Sequence, residues 1–453
     1  MKRILFVTQT ADVWGGMERW LHGFTLWLQQ NTDWRVDVAL ARGRRFQRPA
    51  EFLAAHPHLY AHPVDVRVGT EYARVRELLR LIERLSPQIV VPLKSAAAFP
   101  AVAIAKSQGL DVRLVVPLRA RDTPLIADIA AFRSTVDGVI ANNRLFVRYL
   151  EGALPELAGR LRHVRQAAAP PAVPVRRDGI RGPLRLAYVG RLEQPAKRAL
   201  DLIPFVKEME RRGLEYELHL FGTGSCERDL RSALAATTGR IVFHGQVAAE
   251  ELAATAWPNL DVLLLFSSSE GSPNVVCEAK QHGVVPVIAR FPGLAEEGLV
   301  LEGETGLTFE VGDVMSAAAQ VERLGCDRAW LATLSDRAAA DESRYTLADA
   351  HLRWWRILEE LALLPPRVGG GTPRLPQPAG RVDAWIGPAA AHAIRRLLRL
   401  HYDHADAGGE WPAATFPVDP QVMRAIEISL DQMSGGEAGS ARPLDRSSSE
   451  LNR

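Results

Sequence analysis

"DVLLLFSSSEGSPNVVCEAK", residues 261–280, is the stretch from which the fold can be read. Its opening, DVLLLFS, is a short apolar run bounded by turn residues, the pattern of a buried strand in a parallel sheet. After it the grammar changes. Ser272 suits an N-cap and Pro273 a first helical position, so a helix is predicted to open there and run to Gly283. Two carboxylates eight positions apart therefore take different places. Glu270 falls in the loop at the carboxyl end of a strand, beside a helix N-terminus whose free N–H groups attract anions, while Glu278 falls inside the helix.

The same alternation runs outward in both directions. RILFVTQ, RVDVALA, QIVVPL, VRLVVPL and VDGVIAN read as strands in the first half, separated by helical patterns such as EYARVRELLRLIERL. LRLAYVG, YELHLFG, RIVFHG and VVPVIAR join DVLLLFS in the second half. Strands alternating with helices predict parallel sheets flanked by helices, an α/β fold. AAAPPAVPVRRDGIRGP, residues 167–183, is Pro-rich and fits neither element, so it reads as a linker. The expected division is a Rossmann-like domain over 1–170, a linker over 171–183 and a second Rossmann-like domain over 184–345. A long amphipathic helix over 346–364 follows, with Leu352, Trp355, Leu358 and Leu361 near one face. Residues 365–453 read as a largely disordered tail holding one short helix, AAAHAIRRLLRL, either solvated or docked on a membrane or partner. Two doubly wound halves make a cleft lined by strand ends, where ligands of such folds sit.

Charge is unevenly divided. Residues 1–170 hold 24 Lys plus Arg against 15 Asp plus Glu, so a chain of net charge +2 is +9 in its first half and −7 in the rest. Such a half favours an anionic partner, an acidic glycan, a lipid surface or a lipid-linked phosphate; the plainer reading is an Arg-rich solvated surface. Nucleic acid is not an expected partner. Cys226, Cys277 and Cys326 have no metal-ligand spacing and cannot all pair, which points to a reducing compartment. MKRILFVTQT turns polar too soon for a signal peptide, and no apolar run approaches the roughly 18 residues that span a bilayer. The expectation is a cytoplasmic protein, with peripheral contact at the inner face of the membrane through the basic half left open. His401, Asp403, His404 and Asp406 form a loose set of ligand types in the tail, outside either sheet, and no metal is expected.

Three further constellations bear on chemistry. VGRLEQPAKRA sets Arg191 directly after a strand and Lys197 at the start of the next predicted helix, a fork and a point charge suited to a diphosphate. LFGTGSCERDL places Gly222 and Gly224 in a strand-to-helix turn whose backbone can approach a phosphate or nucleoside, but lacks the third glycine of the dinucleotide fingerprint. TADVWGGMERWLHGF puts Gly15 and Gly16 between the first strand and the first helix.

Together these residues resemble the retaining nucleotide-sugar glycosyltransferases of the GT-B fold, glycosyltransferase family four. The resemblance is strongest over 184–312, where VGRLEQPAK, HLFGTGS, VFHGQV, EGSPNVVCEA, HGVVPVIAR and GETGLTFEVGD stand in the family's order. It implies two Rossmann-like domains facing across a cleft, the first on the acceptor side and the second binding the donor. By the same resemblance Glu270 would contact donor-sugar hydroxyls beside the backbone of Gly271, Ser272, Pro273 and Asn274. Glu278 would reach the ribose, Arg191 and Lys197 would hold the diphosphate, and Gly16 would approach it from the opposite domain. The donor implied is a UDP-, GDP- or ADP-sugar with no cofactor, and the acceptor a glycan, a lipid-linked species or a small molecule in bacterial polysaccharide or glycolipid synthesis. The first half departs from the family: VVPLRARDTPL offers Arg119 and Arg121 where a histidine is usual, and RHVRQAAAPP lacks the usual Asn-Gly. Arg119 or Arg121 is accordingly expected to face an anionic acceptor or the donor phosphate. Two other readings stand beside the transferase, a non-catalytic nucleotide-sugar-binding scaffold and a sugar-nucleotide epimerase of the same fold.

Overall fold

The computed structural model describes residues 2–8, 16–41, 53–54, 56–64, 68–93, 95–171, 182–369, 380–402 and 419–434. Among the described residues seven strands form the first sheet: β1 (Arg3–Thr8), β2 (Arg35–Ala41), β3 (Tyr60–Val64), β4 (Ile89–Leu93), β5 (Arg113–Leu118), β6 (Val136–Ala141) and β7 (Leu161–His163). Their order is β3-β2-β1-β4-β5-β6-β7. Six form the second: β8 (Leu184–Val189), β9 (Tyr216–Phe221), β10 (Arg240–Gly245), β11 (Val262–Leu265), β12 (Val285–Ala289) and β13 (Leu307–Phe309), in the order β10-β9-β8-β11-β12-β13. Every described strand pair is parallel.

Both sheets thus run outward from a central first strand, and the two-domain α/β fold expected from the sequence is the fold observed. The chemistry of the strands explains it. β4, β5, β6, β11 and β12 are buried along their whole length, as apolar runs must be when helices cover both faces. Asp137 in β6 is also fully buried. It accepts from the backbone N–H of Leu114 and of Arg367 at 2.7 Å each, and its partner Lys106 is pushed down to about 8 by burial.

The helix Leu347–Leu363 follows the second domain but packs on the first. Trp354, Trp355, Leu358 and Leu361 are buried there with Trp20, Phe24 and Trp34, and Trp355 meets Trp34 edge to face at 5.1 Å. Leu352 is only partly buried, and Trp354 takes the inward place beside Trp355.

Beyond residue 365 the sequence suggested one short helix, whereas the described residues there hold three: Arg381–Ile386, Pro388–Leu398 and Pro420–Ser434. The last buries Ile426, Leu430 and Met433 in the core of the first domain, an i, i+4, i+7 stripe within a polar sequence. The Asp403, His404 and Asp406 ligand types lie outside the described residues, as does most of the linker. Among the described residues no group of three or more His, Cys, Asp or Glu is arranged to hold a metal ion, and no helix is long and apolar enough to cross a membrane.

Candidate active site

The loops at the carboxyl ends of β8 and β11 are tied together by backbone. Ser268 N–H donates to Ala196 O at 2.9 Å, which fixes the loop carrying Lys197 against the loop carrying Glu270. Lys197 Nζ and Glu270 Oε1 lie 2.5 Å apart, both side chains mostly buried. Lys197 does not open a helix as its sequence suggested. The chain turns through Arg198 in the left-handed region and a 3-10 turn at Ala199–Asp201 before the helix Leu202–Arg212 begins.

Arg191 also sits on this rim but points elsewhere. Its guanidinium pairs with Glu193 at 2.5 Å and is 69% exposed. Its carbonyl accepts from the Tyr188 hydroxyl at 2.9 Å, and that buried phenol is raised by burial first and then by nearby Glu270. Gly222 and Gly224 have a packing reason. A Cβ at Gly222, whose φ is +134°, would lie 2.0 Å from Gly190 O, and one at Gly224 would lie 2.3 Å from Leu192 O. Only glycine lets the turn after β9 lie directly on the Arg191 loop.

After β11 the helix Asn274–Gln281 begins one residue later than a Ser272 cap would have set it. Pro273 is the N-cap, and it offers no side-chain cap to the first N–H groups. The Ser272 hydroxyl is buried and finds no hydrogen-bond partner among the described residues. An uncapped N-terminus with an unpaired buried hydroxyl beside it suits an anionic or polyhydroxylated ligand.

The first domain meets this loop at the carboxyl ends of its own strands. Asn143, following β6, donates through Nδ2 to Gly271 O at 2.7 Å and to Gly293 O at 3.1 Å. A Cβ on Gly271 would come within 2.3 Å of Arg119 O and 2.9 Å of Asn142 Oδ1. Gly16 opens the first helix close to Asn274, whose Nδ2 lies 3.6 Å from where a Gly16 Cβ would stand. One turn further, Arg19 Nη1 reaches Glu278 Oε1 at 3.4 Å. Burial raises Glu278 above the ordinary carboxylate range, and Arg19 works against that rise.

Lys197, Glu270, Gly271, Ser272, Pro273, Asn274, Glu278 and Gly16 are therefore brought to one place, between the two sheets. Arg119 touches it through its backbone only. Its guanidinium donates to Gln166 Oε1 at 2.8 Å and lies 4.5 Å over the Trp20 ring, and burial lowers it to about 10. Arg121 is engaged by Asp431 at 2.6 and 3.1 Å and by Glu427 O at 2.8 Å, all from the helix Pro420–Ser434. Arg19, Tyr188 and Asn143 were not singled out from sequence. Asn143 left a signal, an Asn pair ending a strand, and its side chain does cap the next helix by accepting from Leu145 N–H.

Comparison with known proteins gives this geometry a class. Residues 183–327 match the family described as glycosyl transferases group 1. Among solved structures, the lipopolysaccharide outer core galactosyltransferase WaaB is 17% identical with a TM-score of 0.63, over 79% of this chain and 99% of that one. HepE of Anabaena, solved with UDP-glucose, is 18% identical with a TM-score of 0.61, over 80% and 100%. A sucrose-phosphate synthase from Thermosynechococcus elongatus is 16% identical with a TM-score of 0.64, over 80% and 99%. At such identities these likenesses show the fold, which is the GT-B arrangement of two facing domains. No curated protein matches the chain. The chain carries a glycosyl transferases group 1 domain on this fold, and the protein is a transferase.

Proposed function

We propose that the protein transfers a hexose from a nucleoside diphosphate sugar, with retention at the anomeric carbon as in glycosyltransferase family four, to a glycan, lipid-linked or small-molecule acceptor. The observation that carries this reading is the paired arrangement at the helix Asn274–Gln281. Lys197 and Glu270 stand at its open N-terminus, and Glu278 with Arg19 stands about a turn further on. The diphosphate takes Lys197 and the uncapped N–H groups, donor-sugar hydroxyls take Glu270, and ribose hydroxyls take Glu278. Arg191, exposed on the adjoining rim, swings from Glu193 to the phosphate on binding.

Such a site needs no enzymic nucleophile. Acceptor oxygen attacks on the face from which the diphosphate leaves, and the protein stabilises the charge that grows on that leaving group. HepE, solved with UDP-glucose, and TarM, solved with UDP and glycan ligands, support a nucleotide-sugar donor and a glycan acceptor. We place the activity in bacterial polysaccharide or glycolipid synthesis on the cytoplasmic side, with the basic first half toward an anionic acceptor.

The test is the melting temperature of the purified protein with UDP, GDP, ADP or NAD at equal concentration. A ligand at 100 times its Kd adds about 2.7 kcal/mol of stability. One diphosphate should raise the melting point, and Glu278→Ala should abolish the rise. No response to any of the three diphosphates would overturn the reading. Product stereochemistry by NMR from an α-linked donor then tests retention, which a β-linked product would exclude.

A further inference from the structure

Large apolar side chains are not scattered evenly on this surface. Seven of the fifteen large hydrophobic residues exposed among the described residues fall between 382 and 400: Val382, Trp385, Ile386, Ile394, Leu397, Leu398 and Leu400. Trp385 is 91% exposed and Leu397 82%. They belong to a hairpin of two helices, Arg381–Ile386 and Pro388–Leu398, joined at Gly387.

The hairpin is mounted firmly. Its inner side buries Ala391 and His392, with the His392 ring edge-on to Tyr72 at 5.7 Å. Arg395 and the buried Asp383 form an ion pair that ties one helix to the other. Tyr402 N–H donates to Val68 O at 2.9 Å, and the chain there packs so closely that a Cβ on Gly69 would lie 2.3 Å from Tyr402 O. The exposed side chains are thus the outward face of a packed element. On the second helix Ile394, Leu397 and Leu398 share one stripe by their i, i+3, i+4 spacing, flanked by Arg396 and Arg399.

The charge of this face selects its occupant. Residues 380–402 carry four arginines against one aspartate, and that aspartate is spent on Arg395. Burial first, then Arg76, Arg396 and Arg80, hold His392 below its usual range against Glu77; Arg80 is itself paired with Glu77 at 2.5 Å, so from the adjoining helix Glu71–Leu85 it is Arg76 that adds positive charge beside this face. A second copy of so basic a face is repelled by it, whereas an anionic lipid surface is attracted. No described helix can span a bilayer, so the fitting mode is a helix pair lying in the interface with arginines at the headgroups.

We propose that the hairpin 380–402 docks the protein on anionic lipid, with Trp385, Ile394, Leu397 and Leu398 entering the boundary between headgroups and acyl chains. This is distinct from contact through the general charge of the first half, and it stands independently of the donor reading. The experiment is co-flotation of the full chain with vesicles of phosphatidylcholine alone or mixed with phosphatidylglycerol. Binding is expected to the mixed vesicles only. Trp385→Ser/Leu397→Ser/Leu398→Ser should weaken it by at least about tenfold, and Arg396→Glu/Arg399→Glu should weaken it and flatten its salt dependence. All five side chains lie in solvent or at its edge, so melting temperature and nucleotide response should stay at the parent values. Brominated lipids should quench part of the parent's tryptophan fluorescence but less of Trp385→Phe. Absence of flotation with mixed vesicles would overturn the proposal, as would parent-like binding by both multiple variants. So would a dimer in sedimentation that dissociates in the triple variant, since the face would then join two copies.

Discussion

Lys197 and Glu270, 2.5 Å apart, neutralise each other, and on the proposed reading a diphosphate competes with Glu270 for the same ammonium. Losing a fixed cation at a leaving group costs on the order of 2.7–4 kcal/mol in the barrier. Lys197→Ala is therefore expected to lower kcat by about a hundredfold to a thousandfold with the fold retained in circular dichroism, and steady-state kinetics on the donor identified by melting will check it. Unaltered kcat would remove Lys197 from the chemistry. Glu278 offers a prediction with a sign. Burial raises its folded-state value above that of the unfolded chain, so the folded protein binds a proton there at higher pH and loses stability as pH rises through that interval. Glu278→Gln should melt higher at neutral pH and bind nucleotide more weakly. In the parent, nucleotide affinity should fall on acidification at a higher pH than an ordinary glutamate titrates, because on the proposed reading ribose hydroxyls donate to the ionised carboxylate. Titration calorimetry across pH tests both. The two glutamates could be read from sequence because a strand, a loop and a helix start lie within twenty residues. Arg19 could not, since nothing local says which helix of the other half arrives at Glu278.

At the scale of elements, what burial dictates was readable and what packing at a distance dictates was not. The fully buried strands announce themselves as apolar runs. β3 does not: YAHPV is an exposed edge carrying a proline, and β7 and β13 are three residues each, too short for any periodicity to show. The helix Pro420–Ser434 was hidden for another reason. Its three buried residues are spaced among glutamate, glutamine and aspartate, and its stability comes from the first domain rather than from itself. That helix also holds Arg121, which explains why an arginine in a site-like loop of the sequence is used for docking instead. Leu430 is fully buried there, so Leu430→Ala should cost about 2–5 kcal/mol in urea unfolding. A cost under about 0.5 kcal/mol would mean that the helix contributes little to the fold.

At the scale of the molecule, the site exists only where the two sheets present their carboxyl ends to each other, and the contacts that hold them join residues more than a hundred positions apart. Asn143 spans to Gly271 and Gly293, His163 to Glu297 at 2.9 Å, and Gly293 N–H to Ser434 Oγ at 3.2 Å. None of these pairs has a local signature, which is why the cleft was legible as a consequence of topology but its lining from the first domain was not. Gly271 is where this arrangement is least tolerant. It carries no left-handed backbone requirement, so its constraint is space alone, and a methyl there would stand 2.3 Å from the Arg119 carbonyl oxygen and 2.9 Å from the carbonyl carbon. Both opposing atoms are backbone, so relief must come from moving the Glu270 loop or one domain against the other. A displacement of about 1 Å at a reacting centre costs on the order of a hundredfold in rate. Gly271→Ala should therefore lower turnover by about that factor while each domain keeps its own core. Far-ultraviolet circular dichroism should remain that of the parent, and small-angle scattering should report a slightly larger radius of gyration. Parent-like turnover would show that the two domains approach less closely in the working enzyme, and that Arg119 and Gly271 part during catalysis.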